Sequence, residues 1–293
     1  MNEALHIEPF FHDGTGTWSY VVHRGIDAVV IDPVLDYDAR SGRIATDSAR
    51  HLLAYVVDRG LAVHRILETH AHADHLTSAA FLRARTGAPV AIGHGIRSVQ
   101  AHFADLFQMT TDDPALHDAF DGLLEDGDVI EAGALRIEVL ATPGHTADSL
   151  SYRIDGNVFV GDTIFAPDIG TARCDFPGGS VEQLYHSIQR FYALPEETTL
   201  WLCHDYPPAG RERRASVSVG EQKRDNRMLD GETSLEAFSE ARHARDAGLP
   251  APNLLYPSLQ VNIRGGRLPA EDPHGRRHLS TPLRIEAPAD GLT

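Results

Sequence analysis

The chain has 293 residues, of which 42% are hydrophobic, so it can bury a sizeable core as one large domain or as one domain with an appendage. Its net charge of −16 disfavours nucleic acid or an anionic membrane as a partner, because the phosphates would be repelled. No apolar run approaches the roughly 20 residues that span a bilayer, and no secretory signal is evident, so we expect a cytoplasmic protein without a membrane partner.

The first part of the chain combines short β-branched runs with stretches of helical spacing. Two apolar runs on either side of Gly25 predict a hairpin, and Gly87 predicts a helix end. The predicted elements are, in chain order, a hairpin over 17–22 and 28–32, a helix over 47–58, a strand over 65–69, a helix over 76–86, a strand over 90–92 and an irregular, partly helical stretch over 94–125.

The β pattern resumes after this stretch and is again followed by a helix. The predicted elements are strands over 135–140, 149–154 and 158–160, a helix over 181–193 and a strand over 199–203. Two groups of strands, each accompanied by helices, predict an α/β protein with two sheets between helices.

The composition changes beyond Gly210 to charged and proline-containing sequence. We therefore predict a main domain over residues 1–210 and a C-terminal extension over 211–293 that packs on it. The extension is predicted to contain a helix over 234–247 and a short strand over 259–263.

The strongest chemical signal is Thr69-His70-Ala71-His72-Ala73-Asp74-His75, directly after a predicted strand. Three imidazoles and one carboxylate on a turn can converge on one point, and these ligand types suit zinc or iron. A solvated polar loop is the alternative interpretation. It is the weaker one, because four ligand-type residues rarely accumulate by chance at the end of a strand.

Three further ligand-type residues also follow apolar strands. They are His145 in Thr142-Pro143-Gly144-His145-Thr146, Asp162 in Gly161-Asp162-Thr163 and His204 in Cys203-His204-Asp205-Tyr206. Each of them alone could be an ordinary turn residue. Together they repeat one arrangement, in which a strand delivers a ligand at its end, and they predict a metal site.

These motifs resemble those of the metallo-β-lactamase superfamily in its glyoxalase II-like branch. The resemblance covers roughly residues 5–210 and implies an αββα sandwich, in which two mixed β-sheets lie between helices. It also implies a possible dinuclear site, in which His70, His72 and His145 hold one metal, Asp74, His75 and His204 hold the other, and Asp162 bridges them.

The superfamily resemblance implies a fold without selecting a reaction. In one interpretation, two zinc ions activate a water that attacks a thioester, as in glyoxalase II. In the other, a single Fe(II) is held by two histidines and one carboxylate and leaves open positions for O₂ and a sulfur substrate. The spacing does not separate them. A non-catalytic metal-binding protein of the same fold is a third alternative, against which the intact ligand set argues.

Further segments resemble the bacterial persulfide dioxygenases nearly end to end. They are residues 32–38, 67–70, 170–178, 203–206 and 257–262. The resemblance implies that one Fe(II) is bound by the catalytic residues His70, His145 and Asp162. The remaining residues would orient these ligands or hold a second metal; they are His72, Asp74, His75 and His204. The implied reaction is the oxidation of glutathione persulfide by O₂ to sulfite and glutathione, as in hydrogen sulfide detoxification.

Substrate binding is expected on two loops beside the metal site. Arg173 and Tyr206 match family positions near the thiol substrate, and glutathione carries two carboxylates that need donors. An ion pair of Arg173 with Asp175 or Asp205 remains an alternative, as does simple packing of Tyr206. Cys174 is expected to be a small buried residue or, if exposed, an oxidation target. The oligomeric state stays open, with a homodimer as one alternative.

Overall fold

The computed structural model of the chain describes residues 3–109 and 114–283. In chain order, the strands are β1 (Leu5–His12), β2 (Thr17–Arg24), β3 (Asp27–Ile31), β4 (Val34–Asp38), β5 (Arg43–Ala45), β6 (Ala62–Leu67), β7 (Leu76–Thr77), β8 (Val90–Gly93), β9 (Gly122–Leu124), β10 (Val129–Ala132), β11 (Leu135–Ala141), β12 (Leu150–Ile154), β13 (Asn157–Phe159), β14 (Thr199–Trp201) and β15 (Ser216–Ser218). The helices are α1 (Asp47–Asp58), α2 (Ala79–Thr86), α3 (Ile96–Leu106), α4 (Pro114–His117), α5 (Val181–Tyr192), α6 (Val219–Asp225), α7 (Leu235–Asp246) and α8 (Leu255–Asn262).

The strands form two six-stranded sheets and one small sheet. The first large sheet has the order β1-β2-β3-β6-β8-β9, the second runs β10-β11-β12-β13-β14-β15, and the small one is β5-β4-β7. Both large sheets are mixed, because β3, β6, β8 and β9 pair in parallel in the first, and β13 and β14 pair in parallel in the second.

Three apolar layers hold these elements together. Between the large sheets, one buried cluster contains side chains from both, for example Tyr20 and Ile31 of the first sheet and Val139 and Phe159 of the second. Outside the first sheet, helices α1, α2, α3 and α8 contribute to a second cluster. Helices α5 and α7 contribute to a third cluster outside the second sheet. The predicted αββα sandwich is therefore confirmed, and complete burial of each Leu, Ile or Phe stabilises it by about 1.5–3 kcal/mol.

The parallel strand pairs direct the ligand-type residues to one edge of the sandwich. In the first sheet Ile31 lies opposite Leu67, and the chain continues from Leu67 into the histidine cluster. In the second sheet Phe159 lies opposite Trp201, so the segments that carry Asp162 and His204 leave side by side. The two sheets are tied together at this edge, where the Tyr152 hydroxyl donates to the Glu68 carbonyl at 2.7 Å.

Most predicted elements have the expected type, and two differ. The helix predicted over 76–86 begins only at Ala79, because residues 76–77 form β7 and Thr77 lies opposite Val34. The strand predicted over 259–263 is wrong, since these residues end helix α8. Its apolar residues alternate with Gln260 and Asn262 as in a strand, but both polar side chains are buried too, so the segment has no solvent-facing side.

Residues beyond 210 contribute to both halves of the sandwich. Strand β15 pairs antiparallel with β14, α7 packs outside the second sheet, and α8 contacts β7. The division of the chain at residue 210 stays a prediction. Within residues 3–109 and 114–283, no helix is long and apolar enough to cross a membrane.

Helix α7 provides a test of how strongly this C-terminal part is joined to the sandwich. Phe238 on α7 is fully buried in the cluster outside the second sheet. We expect Phe238→Ala to lower the free energy of unfolding by about 3–5 kcal/mol, because it removes a buried ring and leaves a cavity. The measurement is denaturant unfolding of the full chain. Glu240→Ala, at an exposed position on the same helix, should change the value by less than about 0.5 kcal/mol. Equal stabilities of the two variants would contradict the packing.

Candidate metal centre

The histidine cluster lies on a loop between β6 and β7 whose backbone is held by two buried carboxylates. Asp32 accepts hydrogen bonds from the Thr69 N–H at 2.7 Å and from the Thr69 hydroxyl at 2.9 Å. Asp148 accepts from the N–H of Ala71 at 2.8 Å. Burial raises the pKa of both carboxyls, and the N–H donors partly offset this effect. The loop conformation therefore depends on long-range contacts.

The structure brings together all seven residues in which the sequence predicted metal ligands. Ligand atoms of His70, His145 and Asp162 lie within 4.8 Å of one another. A second group within the same limit contains His72, Asp74, Asp162 and His204, and a third contains His72, His75, Cys203 and His204. Asp162 belongs to the first two groups and so stands between two possible cation positions. His72 belongs to the second group, whereas the family resemblance implied that His72 binds the same metal as His70 and His145.

Asp162 is the centre of this arrangement. Its Oδ2 lies 3.7 Å from Nε2 of His70 and 3.8 Å from Nε2 of His145. Its Oδ1 lies 3.2 Å from Nε2 of His204, which is also 3.3 Å from Oδ2 of Asp74. These separations leave the nitrogen and oxygen atoms facing a common space.

The buried atoms around this space fit a cation. Within the described residues, several of them have neither solvent contact nor a hydrogen-bond partner, namely Nε2 of His70, both ring nitrogens of His72, Nε2 of His75, Oδ1 of Asp162 and Nε2 of His204. An unpaired buried polar group costs several kcal/mol by transfer estimates. Because these six atoms converge on one space, a common partner would compensate them together. Imidazole nitrogens and a carboxylate oxygen are the donors that zinc and iron prefer.

The protonation states agree with a ligand role. Burial lowers the pKa values of His70 and His72 well below the usual value, which leaves their imidazoles neutral with a free lone pair. Burial alone would raise the pKa of Asp162, but the neighbouring His204 and His70 hold it well below the usual range. His70 and His72 thus present neutral nitrogens beside an ionised Asp162, whereas the carboxylates of Asp162 and Asp74 outweigh burial at His204 and raise its pKa to about 9.

Hydrogen bonds to the other ring nitrogen orient the imidazoles. Nδ1 of His145 lies 2.7 Å from the carbonyl oxygen of Arg173, so Nδ1 donates and Nε2 keeps its lone pair for the centre. Nδ1 of His204 contacts the Thr17 hydroxyl at 3.2 Å, and Nδ1 of His70 contacts that of Thr69 at 3.1 Å. His72 differs, since neither of its ring nitrogens has a hydrogen-bond partner within the described residues, although Nε2 lies 3.3 Å from Oδ1 of Asp32.

The segment that orients His145 is itself held by helix α7. Arg242 forms a buried ion pair with Asp246 at 2.6 Å and donates to the Thr171 carbonyl at 3.1 Å. Asp246 accepts from the N–H of Cys174 at 3.0 Å. The carbonyl of Arg173, between these two contacts, is thereby fixed toward His145. Sequence reasoning missed the role of this pair. Arg242 and Asp246 lie more than 70 positions from their partners Thr171 and Cys174, and no local pattern marks such distant contacts.

An open cavity of about 750 Å³ lies over the metal-ligand residues, with Asp162, His145 and Asp74 in its lining. Phe165, Phe176 and Tyr206 form part of its wall. The Tyr206 ring stacks on the ring of His204, with centroids 5.7 Å apart, and its hydroxyl lies 3.4 Å from Asp74. Tyr206 is half exposed, so it is available to a ligand in the cavity.

Four arginines line the cavity, and three of them have protein partners. Arg173 makes two bonds of 2.6 Å to Asp175 and one of 2.7 Å to the Pro250 carbonyl. Arg213 pairs with Asp13, and Arg242 with Asp246. The guanidinium of Arg245 makes no hydrogen bond or ion pair with the part of the chain that the structure describes, and the neighbouring Arg242 adds to the positive field there.

Comparison with known proteins gives this arrangement a wider context. Residues 12–204 match the family model of the metallo-beta-lactamase superfamily. A beta-lactamase hydrolase-like protein of Xylella fastidiosa is 46% identical over 282 residues, which cover 94% of this chain and 64% of that protein. The chain thus spans less than two thirds of that relative. A probable metallo-hydrolase of Burkholderia pseudomallei is 44% identical over 292 residues, covering 94% of this chain and 98% of the relative.

More distant relatives carry names of two different activities. The crystal structure of ETHE1 from Myxococcus xanthus matches 89% of this chain and 100% of its own, with a TM-score of 0.71 and 30% identity. The mitochondrial persulfide dioxygenase ETHE1 of Bos taurus is 26% identical over 265 residues, covering 89% of this chain and 88% of that protein. A hydroxyacylglutathione hydrolase of Rhodopseudomonas palustris is 29% identical over 235 residues, covering 78% and 80%.

The loop beside the cavity gives a test of thiol reactivity. Cys174 is buried, and its burial together with the nearby Asp246 raises the pKa of the thiol to about 12. At pH 8 only about one thiol in ten thousand is then ionised, and the thiolate is the reactive form. We expect iodoacetamide at pH 8 to leave Cys174 unmodified in the folded protein and to alkylate it in the unfolded protein, as measured by mass spectrometry. Rapid alkylation in the folded state would contradict the burial and favour an oxidation target.

Proposed function

This chain belongs to the metallo-β-lactamase superfamily, and on that premise we propose that it is a persulfide dioxygenase with one Fe(II) at His70, His145 and Asp162. The observation that carries the proposal is this group of two histidines and one carboxylate, whose ligand atoms lie within 4.8 Å of one another. Two histidines and one carboxylate with open positions are typical of non-haem iron oxygenases. The similarity to ETHE1 from Myxococcus xanthus, over its whole chain, supports the same interpretation.

The proposed substrate is glutathione persulfide. One persulfide, one O₂ and one water give glutathione and sulfite, and the electrons that the terminal sulfur loses are those that O₂ gains. When bound, Fe(II) supplies the one-electron chemistry that O₂ needs to react with such a sulfur. The chain itself orients His145 through the Arg173 carbonyl and keeps Asp162 ionised beside His204.

The remaining ligand-type residues have a supporting role in this proposal. His204 approaches Asp162 at 3.2 Å, and the ring of His72 lies against that of His70. Asp74 and His75 lie in turn against His204. Partners of this kind fix the orientation of metal ligands and raise metal affinity.

A second candidate function uses the same residues differently. The group of His72, Asp74, Asp162 and His204 offers a complete second cation position that shares Asp162 with the first. A dinuclear zinc hydrolase of the glyoxalase II type would use both positions, and two zinc ions supply an activated water for thioester cleavage. The hydroxyacylglutathione hydrolase of Rhodopseudomonas palustris is a relative that bears this activity in its name.

Glutathione suits the cavity in either case. Its carboxylates need cationic donors within a protein whose net charge is −16. We propose Arg173 and Tyr206 as substrate-binding residues, as the family positions imply. We also propose Arg245, whose guanidinium has no hydrogen-bond or ion-pair partner among the described residues. A cytoplasmic location and the oligomeric state stay predictions from the sequence.

Metal content and oxygen consumption together test the function. Protein purified without oxygen is expected to hold one iron per chain and to consume O₂ when given glutathione persulfide, with sulfite as product. Asp162→Ala should lose both iron and O₂ uptake, because the triad has no other carboxylate. An oxygen electrode and elemental analysis measure the two quantities. Two zinc ions per chain, no O₂ uptake by an iron-loaded sample and rapid cleavage of S-lactoylglutathione would instead favour the hydrolase.

The arginines of the cavity can be compared by kinetics. Arg245→Ala is expected to raise KM roughly 10- to 100-fold with little change in kcat, since a charge-assisted hydrogen bond to a carboxylate is worth about 1.5–3 kcal/mol. Arg173→Ala should also raise KM more than it lowers kcat. Arg83→Ala, on helix α2 and paired with Asp121, is the control outside the cavity. If Arg173→Ala loses iron while its KM is unchanged, Arg173 acts only by holding its loop.

A further inference from the structure

Helix α8 brings one buried amide to the loop that carries the histidine cluster. Asn262, the last residue of α8, is only 3% exposed and lies between the buried side chains of Val261 and Ile263. A buried amide is costly unless its hydrogen bonds are made. The partners of its side chain lie in a different segment of the chain.

The hydrogen bonds of the Asn262 side chain within the described residues all go to backbone atoms of one short segment. Its Nδ2 donates to the carbonyl oxygens of His72 at 2.7 Å and of His75 at 2.8 Å, and its Oδ1 accepts from the N–H of Thr77 at 2.8 Å. Both amide hydrogens and the carbonyl oxygen are therefore used. The opposite orientation of the amide would set its oxygen against two carbonyls, so these contacts determine the orientation.

The contacted segment has no regular structure of its own. Residues 70–75 belong to neither a helix nor a strand, and they carry four of the metal-ligand residues. On one side the loop is held by Asp32 and Asp148 through backbone N–H groups. Asn262 holds it on the other side through backbone carbonyls. The direction of each carbonyl fixes the peptide plane next to it, and with it the direction of the neighbouring imidazole.

We infer that Asn262 is a positioning residue for the metal centre, which sets the ligand geometry of His72, Asp74 and His75 from the C-terminal part of the chain. It is not part of the cavity lining, and its polar atoms bond to backbone rather than to any ligand side chain. It therefore acts through the loop. The inference holds for one metal or two and does not depend on the proposed reaction.

The same helix offers a closely matched control. Gln260 is also buried, and its amide also makes three bonds of 2.8 Å, to the carbonyls of Tyr256 and Ser280 and from the N–H of Ser280. None of these reaches the histidine loop. Loss of either amide should destabilise the protein, but only Asn262 should change metal affinity.

The experiment measures Zn²⁺ affinity of the metal-free full chain against a chromophoric chelator. Asn262→Ala and Asn262→Asp are expected to weaken Zn²⁺ binding about 10- to 100-fold, the usual effect of removing a group that orients metal ligands. Asn262→Asp keeps the size of the side chain and loses both donors. Gln260→Ala should bind Zn²⁺ within about twofold of the parent protein.

A second measurement separates affinity from stability. Added Zn²⁺ raises the unfolding temperature by an amount that depends on its affinity for the folded state, so the metal-induced rise can be compared even between destabilised variants. We expect a smaller rise for the Asn262 variants and an unchanged rise for Gln260→Ala. Parent-like affinity and an unchanged rise in both Asn262 variants would overturn the inference, as would equal losses in Gln260→Ala.

Discussion

The burial of several imidazoles and one carboxylate without hydrogen-bond partners is the constraint on which this structure depends. Nε2 of His70, His75 and His204 and Oδ1 of Asp162 are removed from water and face one another within the described residues. A bound cation would stabilise such a cluster, because buried polar groups are usually paired. The fold meets this constraint by ending parallel strand pairs of both sheets at one edge, so that each ligand begins from a rigid element.

Rigid strand ends position the ligand-bearing segments, and hydrogen bonds from distant parts of the chain then orient the rings. Asp32 and Asp148 fix the histidine loop from within the sandwich, and Asn262 fixes it from helix α8. The Arg173 carbonyl performs the same task for His145. A metal site therefore emerges from contacts that span nearly the whole described chain, which explains why residues after 210 bear on a centre whose ligands all precede them.

The sequence indicates the candidate metal ligands because each one follows an apolar strand, and a strand that ends in a ligand-type residue is a local signal. His145, Asp162 and His204 are recognisable in this way. Asn262 and the pair Arg242–Asp246 are not, since their partners lie up to 190 positions away and nothing beside them in the sequence marks the contact. The C-terminal half of helix α8 was predicted as a strand for a related reason. Its polar residues are buried and bonded, whereas a periodicity argument treats polar positions as solvated.

Helix α7 joins the metal centre to the cavity in one element. Arg242 and Asp246 hold the segment whose carbonyl orients His145, while Arg245, on the same helix, lines the cavity. An anionic group that binds to Arg245 would therefore contact the same helix that holds the segment orienting His145. Because Phe238 anchors that helix in the cluster outside the second sheet, α7 is held by apolar packing as well as by its ion pair. Ligand orientation and the cavity wall are thus fixed by the same buried contacts, so a change in the packing of α7 alters both.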